Sequence, residues 1–332
     1  MRLRRLTSVM AIIGVGLAVG APFALGGTAV LEKLGNVPLQ IFIILAGLSL
    51  VSGIAKAGKI QILMGGLGHR LPFPRTIAIT LASDFAFLSS PAGAAGYVVT
   101  VALLRKSGTS WTASMTILGA EQALDLLFFA IAVPVAAISG LAPLRQLAPN
   151  FPGSVGVISI TVALLAVIGL WWCRHPILKA LCNLVGAIPW LRARQERIGE
   201  FVAALLEQIG ILIRGAPQRN AALMLLTALQ WTIRYGVLWL VLREFGYRVP
   251  FGFVLISQIV ILHLAQWTGI PAGGGSADLG LATALASWVA NPAMATVLLL
   301  WRFSTLYVPL IVGAISLAAL TYKGRTSAIA TP

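Results

Sequence analysis

The chain is a succession of apolar runs, each about as long as a helix needs to cross a bilayer. Lys/Arg or Pro/Gly punctuation separates the runs. A hydrocarbon core about 30 Å thick is crossed by about 20 helical residues. Six runs meet that length, at about 8–28, 38–55, 112–139, 154–173, 220–242 and 293–320. In lipid no water satisfies a free backbone N–H or C=O, so such runs must be helices. Only 10% of the residues are charged and 58% are hydrophobic, against about a quarter charged in an ordinary soluble domain. A soluble protein this apolar could not cover its own surface, so the chain is expected to form a single transmembrane domain over 1–332. The run Ser8–Gly27 is long enough to span and is read as an uncleaved first helix, not a signal peptide.

Two further apolar stretches are broken. The first, 76–104, contains Ser89-Ser90-Pro91-Ala92-Gly93-Ala94-Ala95-Gly96-Tyr97, and the second, 250–290, contains Gly269-Ile270-Pro271-Ala272-Gly273-Gly274-Gly275. Pro91, Gly93 and Gly96, and Pro271, Gly273 and Gly274, are the expected turn residues. Neither arm of the first stretch is a full span, and basic residues lie at both its ends, at Arg75 and at Arg105 and Lys106. A hairpin that enters and leaves by one face accounts for both facts. The two stretches therefore read as re-entrant helical hairpins.

Pro91-Ala92-Gly93 and Pro271-Ala272-Gly273 are 180 positions apart, and each precedes a long helix, opened by Ala113 or Ala293. This predicts an inverted repeat, with a first unit at about 76–140 and a second at about 250–320. Inverted repeats commonly build transporters whose site lies where broken helices meet. A further stretch, 190–214, repeats Leu191, Ile198, Val202, Leu205, Ile209 and Leu212 at helical spacing among Arg and Glu. It reads as one interfacial amphipathic helix. The expected fold class is thus an all-α integral membrane protein with about six full transmembrane helices, two re-entrant hairpins in an inverted repeat, and that interfacial helix.

Net charge is +15, but the basic residues flank the apolar runs and form no soluble patch, which excludes nucleic acid as a partner. With the N-terminus in the cytoplasm and both hairpins re-entrant, Lys33, Arg145, Arg243 and Arg248 fall outside and Arg234 and Arg302 within spans. The other eighteen of the 24 basic residues, Lys56 and Lys59 among them, fall on the cytoplasmic side. Positive charge is expected there. This places both termini at the cytoplasmic face of a bacterial inner membrane.

Ionisable residues at membrane depth are costly and usually pair or line a path. The candidates are Asp84, Glu121, Asp125, Arg234, His263, Asp278 and Arg302. Glu121 and Asp125, four apart, share a helix face, and Arg234 or Arg302 is the expected counter-cation. Asp278 follows the Gly273–Gly275 kink, where an acid is favoured by the start of a helix. Gly14, Gly16 and Gly20 read as close-packing positions. Cys173 and Cys182 form no ligand-spaced set with His69, His175 or His263. No phosphate-binding Walker loop, H-E-x-x-H or G-x-S-x-G occurs. No catalytic residue, metal or cofactor is expected, and the chain reads as a non-enzyme.

At these residues the sequence resembles the lysylphosphatidylglycerol synthase transmembrane-domain family. Pro91, Gly93, Gly96, Arg105, Lys106, Glu121 and Asp125 match its first signature. Pro271, Gly273, Gly274, Asp278, Arg302 and Pro309 match its second. Gln122 stands where the family usually has Arg, and Ala95-Gly96-Tyr97 replaces a Gly-Glu step. The resemblance implies a lipid-flipping module. The chain ends soon after its last helix, so the soluble aminoacyl-transferring domain of bifunctional members is not expected.

The expected function is lipid translocation across the inner membrane through a polar midplane cavity. The pathway residues would be Glu121, Asp125, Arg234, Asp278, Arg302 and Asp84. The cargo is a membrane lipid: a phospholipid, an aminoacyl-phospholipid, a polyprenyl-linked sugar or a hopanoid. A separate lipid-synthesis enzyme is a candidate partner. The alternatives are a proton-coupled small-solute carrier and a membrane-embedded lipid-modifying enzyme or accessory subunit.

Overall fold

A computed structural model describes residues 16–27, 29–147 and 214–329. The expected span at 154–173, the interfacial segment 190–213, Gly14, Cys173, Cys182 and His175 lie outside the described residues. Within them every element is helical: α1 (Gly16–Gly26), α2 (Ala29–Gly35), α3 (Leu39–Gly66), α4 (Phe73–Leu88), α5 (Ala94–Lys106) and α6 (Trp111–Leu147). They continue with α7 (Pro217–Glu244), α8 (Phe251–Trp267), α9 (Ser276–Leu285), α10 (Asn291–Arg302) and α11 (Val308–Ile329). Four helical stretches among the described residues are long and apolar enough to cross a membrane: Leu39–Gly66, Trp111–Ala136, Pro217–Glu244 and Ala293–Thr321. The last joins α10 to α11 through one π-helical turn, Phe303–Tyr307.

Prolines set where several helices begin. Pro74, Pro217 and Pro292 sit in the first turns of α4, α7 and α10, where the missing N–H has no helical partner to lose. α3 departs from expectation: it runs past 55 to Gly66. Lys56 and Lys59, expected in a cytoplasmic loop, are therefore inside a helix, and Lys59 is fully buried. The helix continues because carboxylates from neighbouring helices neutralise the two ammonium groups there.

The burial pattern is that of a protein in lipid. Leu39, Ile43, Leu225, Leu264 and Ile315 are exposed, while Lys59, Glu121, Gln230, Gln258, Asp278 and Arg302 are buried. Large apolar side chains face outward because lipid is as apolar as they are, and the polar groups gather inside where they find partners.

The helices exchange partners across the two halves. α4, the first arm of the first broken stretch, packs along α11, and α8, the first arm of the second, packs along α6. α3 packs along α7. Small residues allow close approach: a Cβ on Gly313 of α11 would lie 2.4 Å from the Leu81 carbonyl oxygen of α4, and one on Gly280 of α9 would lie 2.7 Å from Ile261 of α8. Gly16 and Gly20, expected at such contacts, meet no described neighbour within 4 Å.

The broken stretches form two like turns. Pro91–Gly93 and Pro271–Gly273 are single 3₁₀ turns whose middle residues, Ala92 (φ 51, ψ 16) and Ala272 (φ 53, ψ 17), adopt the same left-handed conformation. Among the described residues no other non-glycine has positive φ. A left-handed Ala costs about 1–2 kcal/mol, so the surrounding packing must hold each turn. The two turns lie against each other. Gly93 (φ 73) and Gly273 (φ 60) complete them, and a Cβ on Gly93 would fall 2.2 Å from the Phe87 ring. Gly96 lies beyond the turn, in α5, where its bare Cα makes room for Phe87. In the second stretch Gly274 has ordinary φ (−54) and Gly275 takes the positive one (76).

Candidate functional site

Glu121 and Asp125 lie on one face of α6, as their spacing requires, and that face meets α3, whose Lys56 also reaches α4. Lys56 on α3 binds Asp84 of α4 at 2.7 Å and stands 3.6 Å from Glu121. Lys59, one helical turn on, binds Asp125 and stands 3.9 Å from Glu121. Three carboxylates thus face two ammonium groups. Each aspartate takes a close bond from one lysine. Glu121 sits between both lysines, and its Oε1 accepts no hydrogen bond. The expected counter-cations, Arg234 and Arg302, do not serve here. The lysines were missed because their charge was read as the end of a helix. The signal was present: the apolar run resumes at Ile60, Ile62, Leu63 and Met64, and positions three apart share a face.

Arg302, at the end of α10, is committed to the second turn. Its Nε and Nη2 each donate to a carboxylate oxygen of Asp278 at 2.8 Å. Nη1 donates to Ala272 O at 3.0 Å and Nη2 also to Gly273 O at 3.3 Å. Asp278 in turn accepts from the Gly275 N–H at 3.0 Å. Asp278 is both a helix cap and a salt-bridge partner. A planar guanidinium suits this work, because one group reaches a carboxylate on one edge and carbonyls on the other.

Between these two ion clusters lies open space. A cavity of about 430 Å³ is walled by Ala92 and Gly93 of the first turn and Ala272 of the second, with Arg302, Asp125, Arg234, Gln258, His263 and Gln266. A smaller cavity of about 120 Å³ adjoins it and reaches Lys56, Asp84 and Gln230. Phe87, Tyr97, Gln122, Asp125, Trp231, Arg234 and Thr305 line both. Phe129, Trp231 and Tyr235 form an aromatic wall, with Phe129–Trp231 centroids 4.8 Å apart and Trp231–Tyr235 stacked at 5.6 Å. His263 joins this wall edge-on to Phe129 and bonds the Ile259 carbonyl through Nδ1 at 2.7 Å.

Five of the six expected pathway residues belong to the two ion clusters: Asp84, Glu121 and Asp125 to one, Asp278 and Arg302 to the other. Arg234 stands apart. It lines both cavities, lies 6.0 Å from the Trp231 ring, and has no carboxylate within 4 Å among the described residues. The two departures from the family signatures, Tyr97 and Gln122, meet at the cavity wall, with the Tyr97 hydroxyl 3.4 Å from Gln122 Oε1.

Two comparisons bear on this arrangement. The sequence model of the lysylphosphatidylglycerol synthase TM region matches residues 11–313. A UPF0104 membrane protein of Archaeoglobus fulgidus is 24% identical over 279 residues, covering 80% of this chain and 82% of the relative.

Proposed function

The chain belongs to the lysylphosphatidylglycerol synthase TM region family, and from that premise we propose that it is a lipid translocase. The observation that carries the reading is the 430 Å³ cavity walled by both Pro-Ala-Gly turns. A chamber that sets Arg234, Arg302, Asp125 and amide side chains among apolar walls, inside a bundle with an apolar exterior, lets a headgroup cross while its acyl chains stay in lipid.

The arms beside the turns are short. At 1.5 Å per residue α4, α5, α8 and α9 reach about 24, 20, 26 and 15 Å, each less than a core of about 30 Å. Both pairs are therefore read as re-entrant hairpins that meet at membrane depth. The identical turn conformations and the exchanged packing of α4 with α11 and α8 with α6 support an inverted repeat. Translocation then proceeds by rocking one repeat against the other around the turns. With Lys56 and Lys59 moved into the bundle, the proposed topology still assigns sixteen basic residues to the cytoplasm against four outside, the bias expected of cytoplasmic termini in an inner membrane.

In this reading Arg234 meets the anionic part of the headgroup. Arg302 and Asp278 hold the second turn in shape. The Lys56, Lys59, Asp84, Glu121 and Asp125 cluster ties α3, α4 and α6 together. The test is reconstitution in vesicles with a labelled lipid in one leaflet. Wild type should equilibrate the label between leaflets and Arg234→Gln should slow it at least tenfold. Vesicles whose label stays put for every lipid tried would sink the function.

The odd carboxylate of the Glu121 cluster favours a second reading, a proton-coupled solute carrier. That protein would collapse a pH gradient on solute addition while leaving the lipid label in place.

A further inference from the structure

The ion cluster of α3, α4 and α6 carries an odd charge. Asp84, Glu121 and Asp125 set three carboxylates against the two ammonium groups of Lys56 and Lys59. One negative charge is thus left without a counter-charge among the described residues. Glu121 is the group left over: it is 2% exposed, and its Oε1 accepts no hydrogen bond. A buried carboxylate without compensation is so unfavourable that such a group takes up a proton instead.

The distances single out the same residue. A charge-assisted bond between ammonium and carboxylate closes to about 2.7–2.9 Å. Lys56 reaches Asp84 at 2.7 Å, and Lys59 bonds Asp125. Glu121 Oε1 stands 3.6 Å from Lys56 Nζ and 3.9 Å from Lys59 Nζ. Each ammonium has three donors to offer, yet neither closes on Glu121. A neutral carboxyl attracts the lysines only weakly, which fits these longer separations. The titratable groups on the other helices packed against α6 are engaged elsewhere or stand apart. Tyr97 of α5 bonds Gln122, His263 of α8 bonds the Ile259 carbonyl, and Arg234 of α7 lies over Trp231.

The cluster also has an inside and an outside. Lys56, Asp84 and Asp125 line the smaller cavity, and Glu121 lines neither cavity. Side-chain exposure falls from 23% at Lys56 and 15% at Asp84 to 3% at Glu121. Lys56 joins the two levels, since its ammonium is within 4 Å of both Asp84 and Glu121.

We infer that Glu121 is an exchangeable proton-binding site and that Lys56 is the switch that answers it. With the proton bound, Lys56 stays on Asp84 and ties α3 to α4. Release is a plain acid dissociation: the carboxyl O–H breaks, the electron pair stays on oxygen, and water in the cavity takes the proton. The Glu121 carboxylate then draws Lys56 from Asp84, and the tie to α4 loosens. α4 ends at Leu88, and its Phe87 ring fills the space behind the first turn. Proton release therefore frees the first turn while the Arg302 clamp keeps the second. The site follows from the cluster alone and serves a lipid or a solute cargo, so it does not rest on the translocase reading.

Infrared difference spectroscopy of the full chain in lipid tests this, with the side-chain carboxyl carbon of glutamate isotopically labelled. A protonated-carboxyl band that carries the label should be present at neutral pH, shift in heavy water and fade in alkali. Glu121→Gln should remove it and, as a neutral near-isostere, keep the thermal midpoint close to wild type. Glu121→Asp makes the same assignment should that variant not fold, because its carboxyl carries no label. Asp84→Asn should also abolish the band, since two carboxylates then balance two ammonium groups and Glu121 ionises to pair with Lys56. Lys56→Met should instead retain the band into more alkaline solution. Absence of a labelled band at neutral pH would overturn the inference, as would a labelled band that survives Glu121→Gln. A band indifferent to heavy water and alkali would overturn it too, and so would one that persists in Asp84→Asn. The spectrum needs no transport, so an immobile lipid label in vesicles would remove the translocase reading and leave the proton site standing.

Discussion

The two Pro-Ala-Gly turns share a backbone conformation to within a few degrees, yet they are held by different forces. The second turn is clamped electrostatically: Arg302 bonds its two carbonyls and Asp278 together. Among the described residues the first has no such charged clamp. It is held by shape, with the Phe87 ring filling the space that side chains on Gly93 and Gly96 would occupy, while its half's charged residues bridge α3, α4 and α6. One geometry can thus be kept by a charge-assisted network or by steric fit. The difference predicts a stiff second turn and a first turn whose freedom depends on packing and on one neutral hydrogen bond, from the Ala95 N–H to Ser90 Oγ at 3.1 Å.

Removing the clamp should have the largest effect. Arg302→Ala leaves Asp278 buried and uncompensated and frees two carbonyls, at a cost of about 3–5 kcal/mol. It should lower the thermal midpoint in detergent by far more than any change at the first turn. Arg302→Lys should recover only part of this, because one ammonium cannot reach the carboxylate and both carbonyls. An equal midpoint for Arg302→Ala and wild type would erase the contrast between the turns.

Lys59→Met comes next, for it strands Asp125 beside Glu121 in a buried setting. Asp125→Leu added to it should restore much of the loss, since a buried pair replaced by apolar groups is often neutral. A double-mutant cycle on unfolding in detergent reads this coupling directly.

Gly93→Ala tests steric fit. Its Cβ would strike the Phe87 ring, and positive φ adds strain, together about 2–3 kcal/mol. Gly93→Ala combined with Phe87→Ala should lose less than the two changes summed. Additive losses would show that Phe87 does not hold the turn.

The smallest shift is expected at the shared residue. Ala92→Gly and Ala272→Gly each relieve a left-handed alanine and should gain up to about 1 kcal/mol, less the added freedom of the unfolded chain. Comparable gains at both turns would confirm that the strain is common to them and only the bracing differs.

Much of this was legible in the sequence. The long apolar runs near 112–139, 220–242 and 293–320 match α6, α7 and α10–α11, and both turns fall where Pro and Gly mark them. The pairing of Asp278 with Arg302 was not predicted, although both residues were picked out as candidates. The reach of α3 was missed because Lys56 and Lys59 look like loop residues until their partners are known. Gly96 was read as a turn residue yet serves close packing in α5, while Gly274 does lie in its turn but with an ordinary φ, since a glycine's role depends on what approaches it.

The sequence by itself determined the membrane class, the helices and the sites of the two turns. These follow from local rules: lipid admits no unsatisfied backbone, and Pro and Gly interrupt a helix wherever they stand. Only the tertiary structure decided which cation neutralises which carboxylate. Lys56 and Asp84 are 28 positions apart, and Lys59 and Asp125 are 66 apart. At such separations a buried charge takes whichever partner the packing of helices brings within about 3 Å, and that packing is set by the whole bundle.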